Sequence, residues 1–196
     1  MTHRTSSWSC VVAFLIVVST GPAAGQSAPG RVDYRVLATS RTSTMEKELN
    51  EAAGAGFRFR AVMGGDTAFG GGEVVVVMSR GETPGRYAYR LLATSRTSTM
   101  QLELQQAADA GYQYRGQTVF ATAFGGDEIV VILERDADAA LPAFEYTLFA
   151  TAKTSTLQKE LADAGAMGYE IVGMTVSKTA FGGDELVAIT RRPKAP

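Results

Sequence analysis

Ala38-Thr-Ser-Arg-Thr-Ser-Thr-Met45 returns as Ala93-Thr-Ser-Arg-Thr-Ser-Thr-Met100 and, with three changes, as Ala150-Thr-Ala-Lys-Thr-Ser-Thr-Leu157. A second block, Thr67-Ala-Phe-Gly-Gly-Gly-Glu73, returns as Thr122-Ala-Phe-Gly-Gly-Asp-Glu128 and Thr179-Ala-Phe-Gly-Gly-Asp-Glu185. Both blocks keep their spacing, so Asp33–Arg80, Ala88–Arg135 and Glu145–Arg192 align without gaps at offsets of 55 and 57 residues. Self-similarity at a fixed period marks a repeat architecture with one supersecondary unit per copy.

Each copy reads β-α-β-β. Tyr34-Arg-Val-Leu-Ala-Thr39 carries the aromatic and aliphatic residues that suit a pleated surface. Ser43-Thr-Met-Glu46 has the form of a capping box, repeated at Ser98…Gln101 and Ser155…Gln158. Met45, Leu49, Ala52 and Gly56 then follow at i, i+4, i+7 and i+11, one apolar helical stripe. Met100, Leu104, Ala107, Gly111 and Leu157, Leu161, Ala164, Gly168 repeat it, and each closing glycine suits a left-handed residue ending the helix. A second strand begins at once, with Phe57, Phe59 and Ala61 alternating against Arg58, Arg60 and Val62. The Gly-Gly of the second block supplies a hairpin turn.

The last strand of each copy is Val74-Val-Val-Val-Met78, Ile129-Val-Val-Ile-Leu133 or Leu186-Val-Ala-Ile-Thr190. A sheet covered on one side alternates apolar and polar residues, so runs without alternation imply cover on both faces. One face belongs to the unit's own helix; the other must meet another repeat or another molecule. The connectors Gly81–Arg86 and Asp136–Pro142 are short and hold consecutive units together. The expectation is an α+β protein of three tandem βαββ repeats at 33–80, 88–135 and 145–192. Each is an antiparallel three-stranded sheet with one helix. The three are expected in a pseudo-three-fold arrangement, sheets inward and helices outside.

The chain has 196 residues, 19 Lys+Arg against 20 Asp+Glu and a formal net charge of −1, which argues against nucleic acid as a partner. His3 and Arg4 precede the apolar run Cys10-Val-Val-Ala-Phe-Leu-Ile-Val-Val18, and Ala23-Ala24-Gly25 follows it. This is the layout of a secretory signal peptide at 1–25, with cleavage expected before Gln26. As a helix the run reaches roughly 14 Å, about half a hydrocarbon core, so no integral membrane span remains after cleavage. The expected destination is the periplasm or the extracellular space. The exported chain then holds no His and no Cys, so disulfide staples are excluded.

Leu161-Ala-Asp-Ala-Gly-Ala-Met-Gly-Tyr-Glu-Ile-Val172 resembles the helix-end signature L-x-x-x-G-x-x-G-W-E-L-V of the small bacterial βαββ domains catalogued as domain of unknown function 4177. Leu49…Gly56-Phe57 and Leu104…Gly111-Tyr112 are weaker versions, and Phe or Tyr replaces the Trp throughout. The resemblance implies the βαββ fold and no specific activity. The βαββ order is also similar to that of the flavin-binding dodecins, although no Trp lies beyond residue 25 to match their flavin-stacking residue.

The strand order places two repeated segments at the N-terminal end of each helix, where free amides and partial positive charge favour anions. Candidate binding residues there are Arg41, Ser43, Thr44 and Glu73 in the first copy, and Arg96, Ser98, Thr99 and Glu128 in the second. Lys153, Ser155, Thr156 and Glu185 complete the set in the third. Such a group suits a small polar, anionic or sugar-like ligand. Each residue also has a structural explanation: capping for the hydroxyls, the turn for Gly-Gly, and a cross-strand ion pair for Arg with Glu. Phe69, Phe124 and Phe181 are read as plugs sealing the hairpins.

Catalysis fits poorly. Without His or Cys there is neither a Ser-His nor a Cys-His nucleophile pair nor a usual zinc or iron set, and no cofactor is implied. Asp127/Glu128 and Asp184/Glu185 offer carboxylates for hydrolysis, but neighbours on a strand point to opposite faces and the first copy has Gly72 instead. Calcium-loop spacing is missing and the Gly-Gly loops lack the Lys of a P-loop. The expectation is a non-catalytic structural or interaction protein, with self-association or a protein partner covering what the repeats leave open. A small-ligand binder and a carboxylate hydrolase are the alternatives.

Overall fold

The computed structural model describes residues 32–67, 71–81, 85–94, 96–121, 127–139, 143–178 and 183–194. The expected leader at 1–25 and the three hairpin phenylalanines lie outside them. The first repeat comprises β1 (Asp33–Thr39), α1 (Thr42–Gly54), β2 (Arg58–Thr67) and β3 (Gly71–Arg80). The second comprises β4 (Tyr87–Thr94), α2 (Thr97–Asp109), β5 (Gln113–Ala121) and β6 (Asp127–Asp136). The third comprises β7 (Phe144–Thr151), α3 (Thr154–Ala166), β8 (Glu170–Lys178) and β9 (Asp184–Pro193). Three antiparallel sheets result, ordered β1-β3-β2, β4-β6-β5 and β7-β9-β8. The fold is therefore α+β, three copies of one βαββ unit.

In every sheet the last, most apolar strand is central. A central strand has neighbours on both sides and the largest share of its surface removed from water, so it rewards a β-branched run most. The front of each sheet is the face that carries its own helix. Leu37, Val74, Val76, Met78 and Phe59 make that face in the first repeat and bury Met45, Leu49, Ala52 and Ala53 of α1.

Each helix ends as the glycine spacing predicts. Gly56, Gly111 and Gly168 have φ of +84°, +84° and +83°. The Gly56 amide donates to the Ala53 carbonyl and the Phe57 amide to the Ala52 carbonyl, the paired bonds of a Schellman motif. The helix start differs from the expected capping box. The N-cap position is taken by Arg41, Arg96 or Lys153, with no side-chain cap hydrogen bond, so Ser43, Ser98 and Ser155 lie inside the first turn. In the first two repeats the Glu or Gln of the supposed box has another task, described below.

Strict alternation along the second strand also fails, at the same place in each copy. The pairing slips between Phe59 and Ala61, between Tyr114 and Gly116, and between Ile171 and Gly173. The extra residue is a β-bulge. It shifts the phase so that Phe59 and Val62, opposite Met78 and Val76, share the front, while Ala61 opposite Val77 turns to the back.

The repeats meet front to back. Tyr89, Val130 and Ile132 on the back of the second sheet join the apolar cluster of the first repeat. Tyr146, Val187 and Ile189 on the back of the third join that of the second. β6 is thereby buried on both faces, from Ile129 to Leu133, as its unbroken apolar run requires. The helices do not lie outside an inward-facing ring of sheets. Each helix shares the front of its own sheet with the back of the following repeat, because β2 and β5 leave bare front surface beside the helix. The three units are equivalent, but among the described residues extensive contacts run only between consecutive repeats, leaving the row open between the third and the first.

Candidate functional site

The polar chemistry of the molecule concentrates where one repeat receives the next. α1 runs along β4, an edge strand whose outer amides and carbonyls would otherwise be unpaired. Asn50 answers both kinds of group at Tyr89. Its Nδ2 donates to the Tyr89 carbonyl at 2.9 Å, and its Oδ1 accepts from the Tyr89 amide at 2.9 Å. Glu46 Oε2 accepts from the Leu91 amide at 2.8 Å, which explains why this residue does not turn back to cap its own helix. The second junction repeats the device with amides. Gln101 bonds the Tyr146 carbonyl and the Leu148 amide, and Gln105 bonds the Phe144 carbonyl and the Tyr146 amide.

A tyrosine closes each junction at the bulge. The Tyr89 hydroxyl accepts from the Phe59 amide at 2.8 Å and donates to Glu134 Oε2 at 2.8 Å. The Tyr146 hydroxyl accepts from the Tyr114 amide at 3.0 Å. Glu134 is 1% exposed and gathers Arg58 from the first repeat and Arg115 from its own. Burial by itself pushes the Glu134 carboxyl up. Hydrogen bonds from Arg58 and Tyr89, with the charge and hydrogen bond of Arg115, outweigh it and hold the group below the usual carboxylate range.

That lowered value sets a pH dependence. A carboxylate more acidic in the folded than in the unfolded chain stabilises fully above the unfolded value. Its contribution disappears as the pH falls through the native one. Glu134→Gln is expected to lower stability by about 2 kcal/mol near neutral pH, less than a fully buried broken pair costs because both arginines keep access to water. Thermal melts of the two proteins should converge as the pH drops below about 4. A gap that persists there would show that shape, not charge, holds the junction.

The candidate binding residues gather at one end of each unit, since Thr39 pairs with Val74 and so leaves Glu73 beside the start of the helix. Arg41, Arg96 and Lys153 are exposed, and their amides donate to Thr39, Thr94 and Thr151 hydroxyls. Ser43, Ser98, Ser155 and Thr156 are exposed, Thr44 and Thr99 half-buried, and so are Glu73, Glu128 and Glu185. Among the described residues no ion pair joins Arg41 to Glu73, Arg96 to Glu128 or Lys153 to Glu185. Asp127 accepts from the Lys178 amide at 3.1 Å and so ties the second repeat to the third.

One open cleft of about 360 Å³ lies at this end of the first junction. Thr42, Ser43 and Glu46 of α1, Leu91, Leu92 and Ala93 of β4, and Glu103 of α2 line it. Two carboxylates in one small cleft oppose an anion. Of the candidates, Ser43 alone is in the lining; Glu46 and Glu103 escaped the sequence reading because their neighbours come from two repeats.

Among the described residues no helix is long and apolar enough to cross a membrane, and no three His, Cys, Asp or Glu side chains converge as a metal site. No family model, no curated protein and no solved structure matches this chain.

Proposed function

We propose that the protein is an exported, non-catalytic structural or interaction protein, built from three βαββ repeats of the kind resembling domain of unknown function 4177. The observation that carries this reading is the use to which the polar side chains at the junctions are put. Glu134, the most deeply buried carboxylate among the described residues, is held by two arginines and a tyrosine. Asn50, Gln101 and Gln105 are bound to backbone. These groups fasten repeat to repeat and lie outside the cleft; Glu46, which binds the Leu91 amide, both fastens and lines it. The short leader-like run at Cys10–Val18 followed by Ala23-Ala24-Gly25 supports export. A screen of glycans and esters is expected to show no turnover. Turnover abolished by Glu128→Gln or Glu185→Gln would establish a hydrolase and overturn this reading.

The cleft supports a second reading, a binder of small ligands at the helix N-terminal end. Hydroxyls from Thr42 and Ser43 beside two carboxylates suit a neutral, hydroxyl-rich molecule better than an anion. Calorimetric titration should then give heat with neutral sugars and none with inorganic phosphate, and Ser43→Ala should remove it. Silence with every sugar would retire this alternative.

A further inference from the structure

The row of repeats has two ends, and each end displays one half of the junction used twice inside the chain. Tyr34 is 69% exposed, while its equivalents Tyr89 and Tyr146 are each 3% exposed beneath the preceding repeat. Val36 and Met63 are exposed on the same back face of the first sheet. At the other end, Ile171 is 52% exposed, against 7% for its equivalent Phe59, and Met174 and Val176 are exposed beside it on the front of the third sheet. We propose that the chain associates head to tail with a second copy of itself, the front of its third repeat receiving the back of the partner's first. This deepens the interaction reading above by naming the partner.

The two faces complement each other in three respects. The first is hydrogen bonding. Gln158 of α3 is exposed and occupies the place of Gln101, which bonds a tyrosine carbonyl and the amide two residues on. The corresponding groups of the partner are the Tyr34 carbonyl and the Val36 amide on an open strand edge. The Tyr34 hydroxyl stands where Tyr89 and Tyr146 take the bulge amide, which in the third repeat belongs to Ile171.

The second is size. At the internal junctions large residues face glycine: a Cβ on Gly116 would lie 3.0 Å from the tips of Phe59 and Val62, and one on Gly173 would lie 2.0 Å from the Tyr114 hydroxyl. At the open ends both sides change together. Ala61 stands in the glycine position, and Ile171, without a ring, stands in the position of Phe59 and Tyr114.

The third is charge. Glu170, which bonds Arg191 of its own sheet at 2.9 Å, occupies the place of Arg58, and Arg60 that of Arg115, so the partner's Arg60 would join that pair where two arginines converge on Glu134 inside the chain. One clamp is missing: Ala162 replaces Asn50 and Gln105. The contact between copies is therefore weaker than the internal ones. A front-to-back contact is heterologous, so it propagates into a ring or a filament according to whether the rotation closes.

Sedimentation velocity on the full-length protein across a wide concentration range tests this. The wild type is expected to grow beyond monomer mass as concentration rises. Tyr34→Asp and Ile171→Asp, both at exposed positions and therefore folded by circular dichroism, are each expected to remain monomeric alone. Mixed, they should form a one-to-one dimer that grows no further, because each retains the face the other lacks. Ala162→Asn should tighten wild-type association about fivefold by adding the second clamp. Monomer mass at every concentration, association indifferent to both aspartates, or a mixture that stays monomeric would each overturn the proposal. Such failure leaves the absence of turnover untouched, whereas turnover in the substrate screen defeats the interaction reading whatever the mass.

Discussion

Gly64→Ala is expected to cost about 3 kcal/mol or more, at or above the top of the usual range for overpacking. A Cβ at this position falls 2.1 Å from the Val119 carbonyl oxygen and 2.9 Å from the Thr118 hydroxyl. The first obstacle is backbone in the adjacent repeat, so no side chain can swing aside to admit the methyl group. The first two sheets must separate instead, and they share the Phe59–Tyr89 bond and the Arg58–Glu134 pair. The neighbouring Gly65 has open space where a Cβ would be, so Gly65→Ala serves as the control and should change stability little. Urea denaturation of the two variants checks the point. Equal losses would mean that the sheets do not approach this closely.

Leu104→Ala should cost about 3–4 kcal/mol, because the side chain is fully buried in a cluster fed by two repeats and the hole it leaves cannot collapse. The same substitution one repeat later should be far milder. Leu161 holds the equivalent helical position but is only half-buried, since among the described residues nothing covers the front of the third sheet as the third repeat covers the second. About 1–2 kcal/mol is expected for Leu161→Ala, the smaller loss following the smaller buried area. If the two substitutions cost the same, the junctions contribute nothing to the burial of the helices.

The helices over Met45, Met100 and Leu157 and their left-handed glycine ends follow from spacing that any helix must obey. The two-sided burial of β6 follows from five consecutive apolar residues. Glu46 and Gln101 look like capping partners, because within one repeat a Glu or Gln three residues after Ser has only its own helix to serve. Their true partners, Leu91 and the Tyr146–Leu148 segment, lie 45 or more residues away. The bulge at Arg60 was invisible for a similar reason, since alternation along one strand cannot report a residue that its partner strand skips.

The candidate site divides the same way. Common placement at the helix start was readable from strand order. Among the described residues the arginine–glutamate pairs expected there do not form, and the deepest carboxylate is Glu134, which no motif marks. Its signal in the sequence is only that a charged residue interrupts the apolar run after Leu133, where the first repeat has Ser79 and the third Arg191.

From its own residues the chain dictates the unit, because apolar period, helix-ending glycine and strand run are local rules satisfied inside some fifty residues. How one unit lies on the next was decided only in three dimensions. That choice depends on how closely two backbones approach at Gly64, on which side chains fit against Gly116 and Gly173, and on which distant amide finds Asn50 or Gln101. Such contacts leave no period along the sequence.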